Sequence, residues 1–179
     1  MPRYVAFLRA INVGGRNIVK MDFLRRLFES LGFSNVETFI ASGNVVFETA
    51  SKNAQALERK IEATLRAALG YDVATFIRTD AELIAVASYK PFSQSDLDGA
   101  AALNIAFLAD GLDNQASQRL MALRTEIDDL HFHGREVYWL CRKRQSGSKI
   151  SNAVIEKALG QKSTMRGANT IKKMAAEYS

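Results

Sequence analysis

Three polar segments interrupt an otherwise regular apolar pattern, and their residue types suit the binding of an anion. The first follows an apolar run and combines arginine, asparagine and glycine, so its backbone N–H groups could approach a negative charge. The second is Ser42-Gly43-Asn44, at a predicted turn. The third, Arg142 to Lys149, brings four cations to the start of a predicted helix, where the helix dipole favours anions. With two residues near the C-terminus, the candidate ligand-binding residues are Arg9, Asn12, Gly14, Gly15, Asn17, Ser42, Gly43, Asn44, Ser148, Lys149, Arg166 and Asn169.

None of these segments matches an established nucleotide-binding motif. A Walker A loop places glycine directly before its lysine, whereas Ser148 precedes Lys149. The stretch Asn12-Val13-Gly14-Gly15 lacks the G-x-G-x-x-G spacing of dinucleotide-binding turns. Glycine and asparagine also form ordinary turns, and surface loops collect lysine. No cofactor is therefore expected.

Arg9 is a charged residue on an apolar strand. It alternates with Phe7 and Ile11, so its guanidinium must be paired or must face a cleft. A ligand site and a buried structural ion pair both account for it.

The residues that could support metal or nucleophilic chemistry are few. His131 and His133 project to one side of a predicted strand, close to Glu136, but the chain contains only 2 histidines. A catalytic zinc needs three protein ligands, so a solvated sheet face is the preferred interpretation and no metal is expected. No serine lies in a G-x-S-x-G elbow, which disfavours classical nucleophilic hydrolysis.

Composition and charge place the chain in a broad class. The net charge is +5, which is compatible with attraction of anions and equally with solubility alone. A single cysteine fits a reducing compartment. No leader pattern follows Met1, and no apolar run approaches the roughly 20 residues that span a bilayer. We expect a cytoplasmic protein with no membrane partner, and the sequence leaves its oligomeric state open.

The first half of the chain predicts the element order β-α-β-β-α-β followed by a short helix. An apolar strand over residues 4–11 precedes a helix from about Lys20 to Leu31, which Gly32 ends. A hairpin around Ser42-Gly43-Asn44 follows, then a helix capped by Ser51 or Asn53. A strand over residues 73–78 leads into Thr79-Asp80-Ala81-Glu82, which has the spacing of a capping box.

The second half repeats that order after a stretch that looks like a linker. A strand over residues 103–108, a helix capped by Asp113, a hairpin around Gly134-Arg135 and a helix capped by Ser151 follow in turn. An extended piece at 163–166 and a helix from about Asn169 to Tyr178 complete it. We predict an α+β fold of two tandem ferredoxin-like βαββαβ subdomains with antiparallel sheets and a C-terminal helix. The predicted bounds are 1–89, a linker over 90–101, and 102–179.

The second hairpin also predicts which side chains are buried. A two-residue turn at Gly134-Arg135, of type II′ because glycine comes first, places Phe132 opposite Val137 and Leu130 opposite Trp139. Asp128 and Cys141 continue that face. Cys141 is therefore expected to be a small buried apolar residue, not a nucleophile.

Four segments resemble motifs of a bacterial protein family, the domain of unknown function 1697. They are Leu8 to Asn17, Ser42-Gly43-Asn44-Val45-Val46-Phe47, Ser148-Lys149-Ile150, and Thr164 to Thr170. The resemblance covers essentially the whole chain and is most specific in the first two motifs. It implies two tandem α+β subdomains and no particular activity. This chain has Gly167 and Ala168 where the family usually carries asparagine and tryptophan, which puts in doubt any ligand contact made by that tryptophan.

The sequence favours a protein that binds a small phosphate- or carboxylate-bearing ligand at the seam between its two halves. An enzyme acting on a small anionic substrate is an alternative, although no general base is evident. Nucleic-acid binding is another, but the central strand lacks the aromatic run that stacks bases. A structural or assembly role, in which the motifs stabilise the fold, is the remaining alternative.

Overall fold

The computed structural model describes residues 1–12, 15, 17–40, 42–144 and 147–178 of the chain. Two compact units divide it: Met1–Ile84 with Met174–Ser179, and Ala85–Lys173. The divisions fall within two helices, so these units differ from the predicted subdomains at both boundaries. Residues of the predicted linker belong to the second unit. The chain's last residues group with the first unit, where the Tyr178 carbonyl accepts a hydrogen bond from Arg3 and its ring meets Phe39 edge-on.

The first unit contains a four-stranded antiparallel sheet in the order β2-β3-β1-β4. Its elements are β1 (Arg3–Leu8), α1 (Met21–Ser30), β2 (Ser34–Thr38), β3 (Asn44–Glu48), α2 (Ala54–Leu69), β4 (Thr75–Thr79) and α3 (Asp80–Ser88). The first strand ends earlier than predicted because Ala10 and Asn12 adopt positive φ, which is incompatible with a continuing strand.

Local sequence signals account for the helix boundaries in this unit. Asn53, not Ser51, caps α2 by accepting a hydrogen bond from the N–H of Ala56. Gly70 ends the helix in the left-handed conformation. The predicted capping box is confirmed: the N–H of Thr79 donates to Glu82 Oε1 at 3.0 Å, and the N–H of Glu82 donates to Thr79 Oγ1 at 3.1 Å.

The second unit has the equivalent sheet order, β6-β7-β5-β8, also antiparallel. Its elements are α4 (Gln94–Asp98), β5 (Ala102–Leu108), α5 (Asn114–Met121), β6 (Asp128–His133), β7 (Glu136–Cys141), α6 (Asn152–Leu159), β8 (Ser163–Gly167) and α7 (Ala168–Tyr178). The short helix α4, which Ser93 caps, was not predicted and lies in the expected linker. The fold is thus the predicted pair of ferredoxin-like α+β subdomains with a C-terminal helix.

Strand alternation determines which side chains form each core. The helix-side core of the first unit includes Tyr4, Ala6 and Leu8 of β1, and the core of the second includes Ala106 and Leu108 of β5. The predicted register of the second hairpin is confirmed, since Phe132 pairs with Val137 and Asp128 with Cys141. Gly134 has a φ of 62°, as a type II′ turn requires at its first central residue. Trp139 and Cys141 are both buried.

No helix within the described ranges is long and apolar enough to cross a membrane.

Gly43 tests how closely the second motif packs on the end of β1. A Cβ at Gly43 would lie 3.2 Å from Cβ of Leu8 and of Ile11, whereas a Cβ at Gly15 would have no described atom within 4 Å. Both glycines have a φ of 75°. We expect Gly15→Ala to lower the free energy of unfolding by about 1 kcal/mol through backbone strain alone. Gly43→Ala should cost at least about 1 kcal/mol more. Urea unfolding measures both, and equal costs would contradict the close packing.

Candidate functional site

The first two motifs lie together at one end of the first unit's sheet. The N–H of Leu8 donates to the Gly43 carbonyl at 2.9 Å, so the Ser42-Gly43-Asn44 turn adjoins the segment that follows β1. Arg9 is half-buried there, and its N–H donates to the Ala74 carbonyl. Gly14 and Arg16 lie outside the described residues. The structure therefore brings the described candidates of this unit to one region.

The asparagines of these motifs bond mainly to the protein's own backbone. Asn12 Oδ1 accepts from the N–H of Val19 at 2.7 Å, and Asn12 Nδ2 donates to the Val19 carbonyl at 3.1 Å. Asn17 Nδ2 donates to the Ala10 carbonyl, which closes the same loop. Asn44 is fully buried, and its Nδ2 donates to the Phe39 carbonyl and to Ser42 Oγ. These bonds satisfy backbone groups in turns, which is a structural role.

In the second unit, Ser148 anchors its loop to a buried carboxylate. Ser148 Oγ donates to Asp128 Oδ1 at 2.8 Å, and Trp139 Nε1 donates to the same oxygen at 2.9 Å. Thr125 Oγ1 donates to the other oxygen, Oδ2, at 2.7 Å. Burial alone would raise the pKa of Asp128, but the hydrogen bonds from Thr125, Trp139 and Ser148 outweigh it and hold that pKa below its ordinary value. Ser148 therefore positions the loop that carries Lys149, whose side chain is exposed.

Arg166 lies on a different face of the second sheet from Ser148. Met165 packs in the helix-side core, so Arg166 points to the opposite face, whereas Asp128 shares the helix-side face with Leu130. The guanidinium donates to Thr164 Oγ1 and to the Met165 carbonyl, and burial lowers the pKa of Arg166 to about 10. Arg78 is buried at the equivalent position of β4. Sequence analysis did not single it out, although it too is a cation on an apolar strand.

The predicted ligand residues thus form separate groups within the units. Arg9, Asn12, Asn17 and the Ser42 turn belong to the first unit, whereas Ser148, Lys149, Arg166 and Asn169 belong to the second. Within the second unit, Ser148 and Arg166 occupy opposite sheet faces. The expectation that all of them share one hollow stays a prediction.

His131 and His133 contact a tyrosine that precedes the predicted linker, so the expectation of a fully solvated sheet face is wrong. The Tyr89 ring stacks on His133 with centroids 4.1 Å apart, and Tyr89 Oη lies 2.7 Å from His131 Nε2. Burial, and then the neighbouring His133, lower the pKa of His131. Across the described part of the chain, no group of three or more His, Cys, Asp or Glu residues could hold a metal ion.

Beside this aromatic cluster, the second unit contains a cavity of about 340 Å³. The end of α3, helix α4, the start of β5, Tyr138 of β7 and the start of α7 line it. Of the predicted ligand residues, Asn169 is in this lining, together with two lysines that sequence analysis did not identify, Lys90 and Lys172. The signal for this site was weak, because its residues come from a linker-like stretch and from a helix whose surface lysines look ordinary.

The inner wall and the mouth of the cavity differ in chemistry. Val86, Ile105 and Tyr138 are buried in the wall, and Leu97 and Leu103 are half-buried beside them. Tyr138 Oη donates to the Val86 carbonyl at 3.2 Å, and burial raises the pKa of this phenol well above its usual range. The charged and amide side chains of the lining are all exposed: Lys90, Gln94, Asp98, Asn169 and Lys172. Two lysines against one aspartate leave a net positive mouth.

Asn12 and Asn44 test whether the first two motifs are structural. Asn12→Ala and Asn44→Ala each remove side-chain bonds to backbone groups, so each should cost about 1–3 kcal/mol. We expect the melting temperature to fall by about 3–10 °C, measured by circular dichroism. Asn169→Ala, at an exposed position, is the matched control and should leave the melting temperature nearly unchanged. Wild-type stability of both motif variants would instead favour a ligand role.

Asp128 predicts a specific acid dependence of stability. Its folded-state pKa lies below the unfolded value, so its contribution is complete above about pH 4 and is lost as the pH falls through the folded pKa. Asp128→Asn should therefore be destabilising at pH 7, with a difference from wild type that shrinks below about pH 4. Urea unfolding from pH 7 to pH 2.5 measures this difference. The exposed Asp110→Asn is the control, and a pH-independent deficit would show that the carboxylate's charge is irrelevant.

Comparison with known proteins agrees with this architecture. No curated protein sequence matches the chain. The solved structure of the conserved bacterial protein SP0830 from Streptococcus pneumoniae is similar over 99% of both chains, with a TM-score of 0.80 and 25% sequence identity. The family model described as "Protein of unknown function (DUF1697)" matches residues 1–138, which contain the first two motifs; the resemblance in the third and closing motifs lies beyond that match. The chain therefore belongs to the DUF1697 family of proteins of unknown function.

Proposed function

We propose that this protein binds a small phosphate- or carboxylate-bearing ligand in the cavity of its second unit. The observation that carries the proposal is the coincidence of an enclosed volume of about 340 Å³ with Lys90, Lys172 and Asn169 in its lining. Lysine ammonium groups attract either anion, and the Asn169 amide can donate a hydrogen bond that orients it. Helix α7 begins at the cavity with Ala168 and Asn169, so its dipole adds positive potential there.

Binding is better supported than catalysis by the chemistry of this cavity. Of the residues that line it, Asp98 is the carboxylate, and it is exposed and accepts a hydrogen bond from Gln94 at 2.8 Å. The Tyr138 phenol is buried, stays protonated and donates to a backbone carbonyl. A general base poised near neutral pH would need a different environment from either.

Small ligands are also better supported than nucleic acid. Stacking of bases on a ferredoxin-like sheet requires exposed aromatic side chains. Phe7, Phe76 and Tyr138, which lie on the sheet faces opposite the helix-side cores, are buried. They are not available as a stacking surface.

A structural role for the first two motifs is a second proposal, supported by a separate observation. Asn12 and Asn44 bond to Val19 and Phe39 backbone groups within the first unit. This role is compatible with ligand binding in the second unit, because the two involve different residues.

Two features of the chain as a whole belong with these proposals. The equivalent strand orders of the two units support an origin by duplication of one βαββαβ unit. A cytoplasmic location is proposed on the single cysteine, Cys141, which is buried and whose pKa burial raises, as suits a stable thiol.

The ligand proposal predicts saturable anion binding that depends on Lys172. Titration of the full-length protein with inorganic phosphate and with acetate, followed by two-dimensional amide NMR at low salt, should shift resonances of residues around the cavity. Lys172→Met should weaken binding about two- to fivefold, because it removes one partly solvated charge. Lys173→Met removes an exposed neighbour outside the lining and is the matched control.

Two results would count against the ligand proposal. Shifts spread over exposed lysines throughout the chain would indicate unspecific attraction to a protein of net charge +5. An equal loss of affinity in the Lys172 and Lys173 variants would have the same meaning.

A further inference from the structure

The cavity of the second unit is divided by polarity, and this division limits the kind of ligand it can hold. Its charged and amide side chains are all exposed, whereas its buried wall is formed by Val86, Ile105 and the ring of Tyr138. Because Tyr138 Oη already donates to the Val86 carbonyl, the deep wall presents an apolar surface. A bare anion deep in the cavity would lose its hydration without gaining a polar partner.

The half-buried residues extend that apolar wall toward the mouth. Leu97 of α4 and Leu103 of β5 lie in the lining, as does Ala87 of α3. A volume of about 340 Å³ is at the lower end of the range for small-molecule sites. It exceeds what an isolated phosphate or acetate needs and suits a compact body of several carbon atoms.

We infer that the ligand is a small amphipathic anion, with one carboxylate or phosphate group at the lysine-lined mouth and a short aliphatic or aromatic body against the apolar wall. This inference rests on the proposed anion-binding function and specifies its ligand class. The head group stays near water, where Lys90 and Lys172 contact it. The body enters the cavity and removes apolar surface from water, which supplies most of the affinity.

The test compares probes that contain the head, the body or both. Acetate and inorganic phosphate carry a head group alone, hexan-1-ol carries a body alone, and hexanoate and benzoate carry both. Affinities come from amide NMR titrations of the full-length protein, with the shifted resonances identifying the site. We expect hexanoate to bind tighter than acetate by up to about fourfold per additional methylene that is buried. Hexan-1-ol should bind more weakly than hexanoate, and the shifts should centre on Leu103, Ile105 and Asn169.

A variant that fills the cavity provides the structural control. Ala87→Leu adds three carbon atoms to the wall, so it should weaken hexanoate binding at least about tenfold while leaving acetate binding nearly unchanged. Ala85→Leu, at an exposed position of the same helix outside the lining, should change neither. If Ala87→Leu fails to fold, Leu97→Ser makes the wall polar and should reduce the ratio of hexanoate to acetate affinity.

The outcomes separate this inference from the proposed function. Binding of acetate and phosphate at the cavity with no gain for hexanoate or benzoate overturns the inference and leaves the anion proposal standing. Absence of binding by every anion overturns the anion proposal itself. Hexan-1-ol binding as tightly as hexanoate overturns the inference too, because the charged mouth would then contribute nothing.

Discussion

Each sheet depends on a central strand that is hydrogen-bonded along both of its edges. β1 pairs with β3 and β4, and β5 pairs with β7 and β8. Side chains on both faces of each central strand are buried, so a shift of one residue would move core residues to the wrong face. The segments at the strand ends are therefore held in place. The bond from the N–H of Leu8 to the Gly43 carbonyl brings the first two motifs together, although they are far apart in sequence.

Buried polar side chains in this protein are explained by the partners they acquire. Asp128 accepts three hydrogen bonds from Thr125, Trp139 and Ser148, and Asn44 donates to a turn carbonyl that would otherwise lack a bond from that amide. Leaving such groups without partners in the interior would cost several kcal/mol in total, roughly 1–3 for each. Residue types that suggest ligand chemistry in the sequence are thus used to stabilise loops. This explains why motif residues and cavity residues are largely different sets.

The cavity arises from segments that are individually ordinary. α4 lies in a polar stretch, and Lys172 is one of two adjacent lysines in α7. What gives them chemical meaning is their arrangement around the start of β5, which separates an apolar wall from a charged mouth. Such a separation favours ligands that have the same division, because each part of the ligand then replaces water with a matching surface.

The sequence by itself determined the α+β class, the order of the elements, the capping box at Thr79 and the faces of the second hairpin, since these depend on periodicity and on bonds between near neighbours. It indicated only part of the candidate site: Asn169 lines the cavity, whereas Lys90, Tyr138 and Lys172 were not identified. Tertiary structure alone decided that Ser148 binds Asp128, that Arg166 occupies the opposite sheet face, and that residues 89–103 contribute to a cavity wall. These outcomes depend on long-range packing, which no local spacing encodes, because contacts between distant segments exist only after the strands have paired.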